Sequence, residues 1–304
     1  MNVSSKLYYI VKPLMPRYVQ VAIRGFFARI KADRCKQIWP IDESTGNKPS
    51  DWIGWPNGYK FALVLTHDVE TGPGQERCRD LMEMEKKRGF LSSFNFVPER
   101  YEVSKELRDH IVAQGFEVAV HDLRHDGKLF KSKKVFLESA KRINRYLKEW
   151  NSVGFRAGAM HHDLDLIHAL DIEYDSSTFD TDPLEPQPDG LGTIFPLKMK
   201  GNGNGKGYVE LPYSLPQDFT LFILLRQKNI DIWKEKLDWI VGKGGLALLI
   251  THPDYMDLSG ENKSFYEYSA GYYIDFLDYI RKKYDGQYWN VLPKDLAFYC
   301  NKHL

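Results

Sequence analysis

At 304 residues, with 43% apolar and 27% charged side chains, the sequence has the composition of a globular enzyme, long enough for one α/β barrel or two smaller domains. A formal net charge of +1 gives no global pull toward nucleic acid, so no nucleic-acid partner is expected. Three unpatterned cysteines (Cys35, Cys78, Cys300) argue against a disulfide framework and suit a reducing compartment.

No run approaches the ~20 apolar residues needed to span a bilayer. Lys6, Lys12, Pro13, Pro16 and Arg17 interrupt the N-terminal apolar residues before a signal-peptide core can form, so the expected location is cytoplasmic. Residues 17–33 read as an amphipathic helix, with Arg17, Arg24 and Lys31 on one side and Val19, Ile23, Phe26, Phe27 and Ile30 on the other. Such a helix either lies on an anionic membrane surface, a peripheral contact at the inner face, or docks on its own protein or caps one end of a barrel. Docking is the favoured expectation, because most amphipathic helices pack on their own domain. Pro40, Gly46, Pro49, Gly54, Pro56 and Gly58 make residues 40–59 an irregular connection, which divides the chain into 1–59 and 60–304.

From residue 60 strand-like runs (61–66, 92–97, 116–120, 153–156, 208–212, 246–251, 288–292) alternate with helical ones (76–88, 104–114, 132–149, 230–242, 264–283). This pattern predicts parallel βαβ units, and hence an α/β fold built as a (β/α) barrel of about seven parallel strands behind the N-terminal helix. Residues 178–207 break the pattern with Pro183, Pro186, Pro188, Gly190 and Gly192. A loop of that length suits the wall of a substrate groove. Its run Gly201-Asn-Gly-Asn-Gly-Lys-Gly207 lacks the Lys-Ser/Thr ending of a phosphate loop and reads as a flexible turn or hairpin tip.

Polar clusters follow the apolar runs, where parallel α/β folds place their chemistry. Phe61–Leu65 leads into Thr66-His67-Asp68-Val69-Glu70, and Phe116–Val120 leads into His121 and His125. Two imidazoles four residues apart share a helix face or one wall of a turn and can reach one cation. A carboxylate from the other strand end completes an N,N,O set with open positions, the layout of a catalytic metal site. Further clusters are Gly154-Phe155-Arg156-Ala157-Gly158, Tyr174-Asp175-Ser176-Ser177, Glu210-Leu211-Pro212 and Thr251-His252-Pro253. Singly these are weak: a lone histidine is more often structural, and Asp-Ser-Ser is a common turn or cap. Of the aromatics near the clusters (Tyr174, Phe179, Tyr213, Tyr255, Trp289), most are expected in the core.

In chain order, Thr-His-Asp-Val-Glu, His-x-x-x-His, Phe-Arg-Ala-Gly, Asp-Ser-Ser and Leu-x-Thr-His-Pro resemble the successive motifs of the polysaccharide deacetylases, carbohydrate esterase family 4, over residues 60–295. The resemblance implies a distorted (β/α) barrel and metal-dependent removal of an N-acetyl group from an amino sugar or glycoconjugate. The expected cytoplasmic location and the basic N-terminal helix suit a step in surface polysaccharide or glycolipid assembly at the inner membrane face. It implies His121, His125 and Glu70 as ligands of a divalent metal, zinc first among Zn²⁺, Co²⁺, Ni²⁺ and Mn²⁺. It makes Asp68 the general base, Arg156 its brace, and His252 the acid that protonates the leaving amine. Asp175 is the first candidate for the carboxylate that keeps His252 charged, and Asp218 the second.

The sequence departs from the family pattern in three places. Val69 separates the two acids, which are usually adjacent; strand alternation still puts Asp68 and Glu70 on one side and His67 and Val69 on the other. The reverse assignment, with Asp68 on the metal, stays open. Asp122 stands where Ser or Thr is usual and Gly158 where proline is common, which leaves the substrate open. Two alternatives therefore accompany the carbohydrate reading: a deformylase or amidase acting on a non-sugar C–N bond, and an inactive barrel that only binds carbohydrate.

Overall fold

The computed structural model describes residues 17–201, 206–260 and 264–303. Lys6, Lys12, Pro13 and Pro16, the side chain of Arg17, and residues 202–205 of the Gly-rich run lie outside the described residues.

The apolar run after residue 60 forms β1 (Phe61–Val69), buried along its whole length, as expected of a parallel strand covered on both faces. Along 62–67 it pairs with β8 (Leu246–Thr251). On its other edge β11 (Tyr288–Asn290) pairs with residues 61–63 and β2 (Ser93–Phe96) with residues 66–69. The sheet then continues in parallel through β3 (Glu117–His121), β4 (Gly154–Arg156), β5 (Tyr174–Asp175) and β7 (Tyr208–Glu210). β6 (Leu197–Met199) is added antiparallel to β7. The curl closes where Leu215 bridges Leu249 of β8, with the Ser214 and Leu215 amides donating to the Leu248 carbonyl at 3.2 and 3.1 Å. The result is the distorted (β/α) barrel the alternation predicts. One place in it goes to Tyr174–Asp175, two residues too short to show a period. The expected strand at 288–292 instead extends the sheet beside the start of β1.

Helices between the strands bury one face each. The helix Lys133–Glu149 turns Phe136, Ala140, Ile143 and Leu147 inward, at the spacing of one helical stripe. Ser132 caps its start by accepting from the Val135 amide. The expected helix at 264–283 begins only at Gly271, because β10 (Tyr268–Ser269) pairs with β9 (Met256–Asp257) in a small second sheet. No helix among the described residues is long and apolar enough to cross a membrane.

The N-terminal helix α1 (Arg17–Arg34) packs on Phe219–Leu224, a single π-helical stretch. Its buried side is Val21, Gly25 and Ala28. A Cβ on Gly25 would stand 2.8 Å from the Leu224 carbonyl oxygen, so the close approach requires glycine. Arg29 Nη1 donates to the same oxygen at 3.1 Å. The helix therefore docks, but not through the apolar stripe expected to do so: Phe26 and Phe27 remain 55% and 63% exposed. The connection that follows is tied to the barrel by Trp55 Nε1 donating to the Gly244 carbonyl (2.9 Å), Trp239 Nε1 to Glu43 (2.9 Å), and the Ile194 amide to the Thr45 carbonyl (3.0 Å).

Candidate active site

Because the barrel strands run in one direction, Asp68, His121 and Arg156 at strand ends meet His252, just past β8, on one rim. Register supplies the neighbours. Asp68 pairs with Asn95 of β2, and Asn95 Nδ2 donates to Asp68 Oδ1 at 2.8 Å. His121 pairs with Arg156 of β4, whose Nη1 donates to Asp68 Oδ1 (2.8 Å) and Thr66 Oγ1 (2.9 Å), while Nε donates to the Ser176 carbonyl (2.9 Å). Asp68 Oδ2 stays clear of these donors and lies 3.7 Å from His121 Nε2. Burial by itself would raise the Asp68 pKa; Arg156, His121 and His252, with the Asn95 hydrogen bond, hold it well below the usual carboxylate range.

Strand alternation places the rest of this segment. Asp68 and Glu70 face the rim. His67 is buried on the other side, with Nδ1 2.7 Å from Thr251 Oγ1 and Nε2 2.8 Å from Glu85 Oε1, and takes no part in the site. Asp254 holds the backbone beyond β1, accepting from the Glu70 amide at 2.9 Å and from the Thr71 hydroxyl.

Glu70, His121 and His125 each offer a ligand atom, and the three lie within 4.8 Å of one another. His121 Nδ1 sits 3.1 Å from the Arg156 carbonyl oxygen. A carbonyl only accepts, so Nδ1 carries the proton and Nε2 presents its lone pair. That Nε2 is buried and has no hydrogen-bond partner among the described residues. An orphaned imidazole lone pair beside a second imidazole and a carboxylate fits the donor set of a divalent metal. Burial, aided by His125 and opposed by Asp68, pushes the His121 pKa down and keeps the ring in the neutral, ligating form. Burial likewise opposes ionisation of Glu70, but His125, His252, His121 and Arg100 hold its pKa below the usual value. Glu70 Oε1 is 3.2 Å from His125 Nε2. On the far side of that ring, Arg100 Nη1 lies 3.1 Å from Nδ1. A guanidinium only donates, so the His125 proton sits on Nε2 facing Glu70, where a cation would replace it.

The two histidines share a turn rather than a helix. Asp122 and His125 both have positive φ (55° and 54°). Asp122 fastens this turn, its Oδ1 accepting from the Leu123 amide and its Oδ2 from the Gly158 amide at 3.2 Å. A Cβ on Gly158 would stand 2.5 Å from Asp122 Oδ2 and 2.7 Å from His125 Cδ2, which accounts for glycine there. Gly158→Ala is therefore expected to displace His125 and weaken metal affinity by about 10–100-fold, measured by competition with a chelating dye. Unchanged affinity would remove this wall from the site.

His252 pairs with Asp218 and not with Asp175. Its Nδ1 lies 2.6 Å from Asp218 Oδ1, its own amide donates to Oδ2 at 2.7 Å, and the Tyr268 hydroxyl donates to Oδ2 at 2.9 Å. Burial works against a charged imidazole here, yet Asp218, followed by Glu70 and Asp68, pushes the His252 pKa up to about 10. Its Nε2 is 3.9 Å from Glu70 Oε1. Asp175 instead accepts from the Ser177 hydroxyl and amide and lies opposite Glu210 in the β5–β7 ladder. Burial raises the pKa of both acids, and the charge of Asp175 raises that of Glu210 further.

Asp68, Glu70, His121, His125 and His252 line a cleft of about 480 Å³. Leu184, Glu185 and Pro186, from the long loop expected to wall a groove, form one side; Gln20, Val21 and Arg24 of α1 form another. Tyr255 lines the cleft, whereas Tyr174, Phe179 and Tyr213 are core. Sequence reading missed Asn95, Arg100, Tyr268 and the acid pair Asp182–Glu185, whose carboxyl groups both lie within hydrogen-bond distance of the Tyr213 hydroxyl, at 2.9 and 2.8 Å. Only Asn95, an amide between two phenylalanines in a buried strand, left a local signal.

No protein-family model and no curated protein matches the chain. Solved structures do. A candidate polysaccharide deacetylase from Mycobacterium smegmatis is 20% identical with a TM-score of 0.61, covering 84% of this chain and 95% of its own. One from Pseudomonas aeruginosa PAO1 is 17% identical with a TM-score of 0.62 at the same coverage. Puue allantoinase is 16% identical with a TM-score of 0.59, covering 84% and 94%. With these likenesses and a barrel that gathers the motif residues on one rim, the chain has the fold of the carbohydrate esterase family 4 polysaccharide deacetylases.

Proposed function

We propose that the protein is a metal-dependent hydrolase that removes an N-acetyl group from an amino sugar or glycoconjugate. The observation that carries this reading is the orphaned His121 Nε2, converging with His125 and Glu70 between an acid held ionised, Asp68, and an imidazole held protonated, His252. Glu70, His121 and His125 would hold a divalent cation, and this nitrogen and oxygen donor set ranks zinc first. When bound, such a cation supplies Lewis acidity, making water a better nucleophile and polarising an acyl carbonyl. Arg156 and Asn95 occupy Asp68 Oδ1 and leave Oδ2 to accept the proton of the attacking water. His252, kept charged by Asp218, gives a proton to the departing nitrogen, which an unassisted amide would have to expel as a poor leaving group. Glu185 on the cleft wall, whose pKa is raised by burial and by Asp182, offers a hydrogen bond to the sugar. A location in the cytoplasm and a place in surface polysaccharide or glycolipid assembly belong to the same reading.

The likeness to Puue allantoinase supports a second reading, in which the same residues hydrolyse a C–N bond of a non-sugar amide. The test is to load the protein with Zn²⁺, Co²⁺ or Mn²⁺ and assay acid release from N-acetylglucosamine oligomers, nucleotide-linked N-acetyl and N-formyl amino sugars, and small amides. Acetate from the sugars is the expected result. Formate, or turnover confined to non-sugar amides, would establish the second reading. Sugar binding without turnover in fully metallated protein would make the barrel a binding module and sink both.

A further inference from the structure

The aromatic part of the α1 apolar stripe faces away from the protein. Val21, Gly25 and Ala28 form the buried side, so helical spacing turns Phe26 to the opposite side with Phe27 next to it, flanked by the half-buried Val19, Ile23 and Ile30. Phe26 and Phe27 are mostly exposed and pack edge to face, 5.6 Å between centroids. On the Ala22–Arg29 flank the surface continues across a groove of about 390 Å³ to Phe265, itself 56% exposed. Scattered exposed apolar residues need no explanation, but two adjacent exposed phenylalanines that continue to a third across a groove do.

The same segment is basic. Residues 1–34 hold seven lysines and arginines and a single acid, Asp33, in a protein of formal charge +1. One of these cations, Arg29, lines the groove together with Arg226 from the facing segment. The Arg226 guanidinium lies 3.8 Å over the Phe265 ring, its Nη1 donates to the Phe265 carbonyl, and its Nη2 is buried with no hydrogen-bond partner among the described residues. Burial and the neighbouring Arg29 both disfavour the charge on Arg226, so an anion seated between them relieves both. A guanidinium pair on an apolar shelf matches a phosphate attached to an apolar body.

We propose that α1 is a membrane-docking helix, laying Phe26 and Phe27 into the interface of an anionic phospholipid bilayer while Arg29 and Arg226 hold a lipid phosphate. A second copy of the chain is the poorer occupant, because a two-fold contact brings the same basic segment against itself. The other flank of α1 is a wall of the catalytic cleft, so docking sets the cleft mouth at the lipid surface. Resting on the hydrolase reading, this makes the substrate the polar head of a lipid-linked molecule.

The test is co-sedimentation of the full chain with phosphatidylcholine vesicles and with vesicles that also contain phosphatidylglycerol. Binding is expected to the anionic vesicles and to weaken as salt rises. Phe26→Ser with Phe27→Ser, and separately Arg29→Gln with Arg226→Gln, are each expected to lower vesicle affinity at least about tenfold. Thermal unfolding of the phenylalanine variant controls for folding, and both of its positions are exposed. Absence of wild-type binding, or binding indifferent to Phe26 and Phe27, would overturn the proposal. So would a dimer in analytical ultracentrifugation that the phenylalanine variant dissolves while vesicles stay unbound. Vesicle binding needs no turnover: an active hydrolase that ignores vesicles refutes the docking alone, and a vesicle-bound protein that hydrolyses nothing refutes the catalytic reading alone.

Discussion

Asp68→Asn is expected to lower kcat for amide hydrolysis by about 10²–10⁴-fold while the protein still takes up its metal, and Glu70→Gln is expected to lose the metal itself. The two acids are both carboxylates on one side of the chain at the end of β1, so their roles rest on surroundings. Asp68 has one oxygen engaged by Arg156 and Asn95, which leaves one oxygen for a proton. Glu70 has Oε1 against His125 Nε2 and falls within the 4.8 Å ligand set with His121. Elemental analysis of both variants beside acid release separates the assignments: metal loss in Asp68→Asn with retention in Glu70→Gln would exchange them. The measurement must be made per folded protein. Removing the Asp68 charge leaves the buried Arg156 guanidinium uncompensated, a change that costs about 3–5 kcal/mol in such pairs. The acid side of the stability profile carries the same information. The folded pKa of Asp68 lies below its unfolded value of about 3.9, so its pairing stabilises the protein above that pH and is lost as pH falls further. Metal-free Asp68→Asn should lack that component.

The rim residues were legible because a parallel barrel converts sequence order into spatial order. Each of Asp68, His121, Arg156 and His252 follows an apolar run, and parallel strands carry all such ends to one side. Alternation also separated Asp68 and Glu70 from His67 correctly, since the period of a strand needs no tertiary information. The partner of His252 was another matter. Asp175 sits in a conspicuous Asp-Ser-Ser, but it faces Glu210 across β5 and β7. Asp218 reaches His252 because the chain closes the barrel at Leu215–Leu249, a long-range pairing that no local pattern announces. The orientation of α1 escaped for a related reason. Its apolar stripe was the obvious face to bury, yet Gly25 and Ala28 let the backbone approach Leu224, and close approach of the smooth side left the aromatic side outside. The strand at Tyr174–Asp175 was hidden by its length alone.

Asp218→Asn is expected to lower kcat by about 10²-fold or more and to move the alkaline limb of its pH profile down by more than one unit. His252 is almost wholly enclosed, and burial on its own favours the neutral ring. The carboxylate of Asp218, bonded to Nδ1 and to the His252 amide, reverses that preference and lifts the pKa to about 10. An amide keeps the hydrogen-bonding shape but not the charge, so the imidazole should return toward its unperturbed value of about 6.5 and lack a proton to give at neutral pH. Stability gives an independent reading. Because the folded pKa is raised, the His252–Asp218 pair stabilises fully below about pH 6.5, and that stabilisation is lost as pH rises toward about 10. The comparison belongs on metal-free protein, since a cation held by Glu70 and the two histidines would itself oppose the charge on His252. Urea unfolding of metal-free wild type should therefore weaken across that interval, and Asp218→Asn should flatten the dependence. Tyr268→Phe removes one neutral hydrogen bond from Asp218 and leaves the charge in place, so it should shift the limb far less. An alkaline limb that ignores Asp218→Asn would mean that the leaving nitrogen takes its proton from elsewhere, and His252 would then be a structural anchor of the barrel's closing turn.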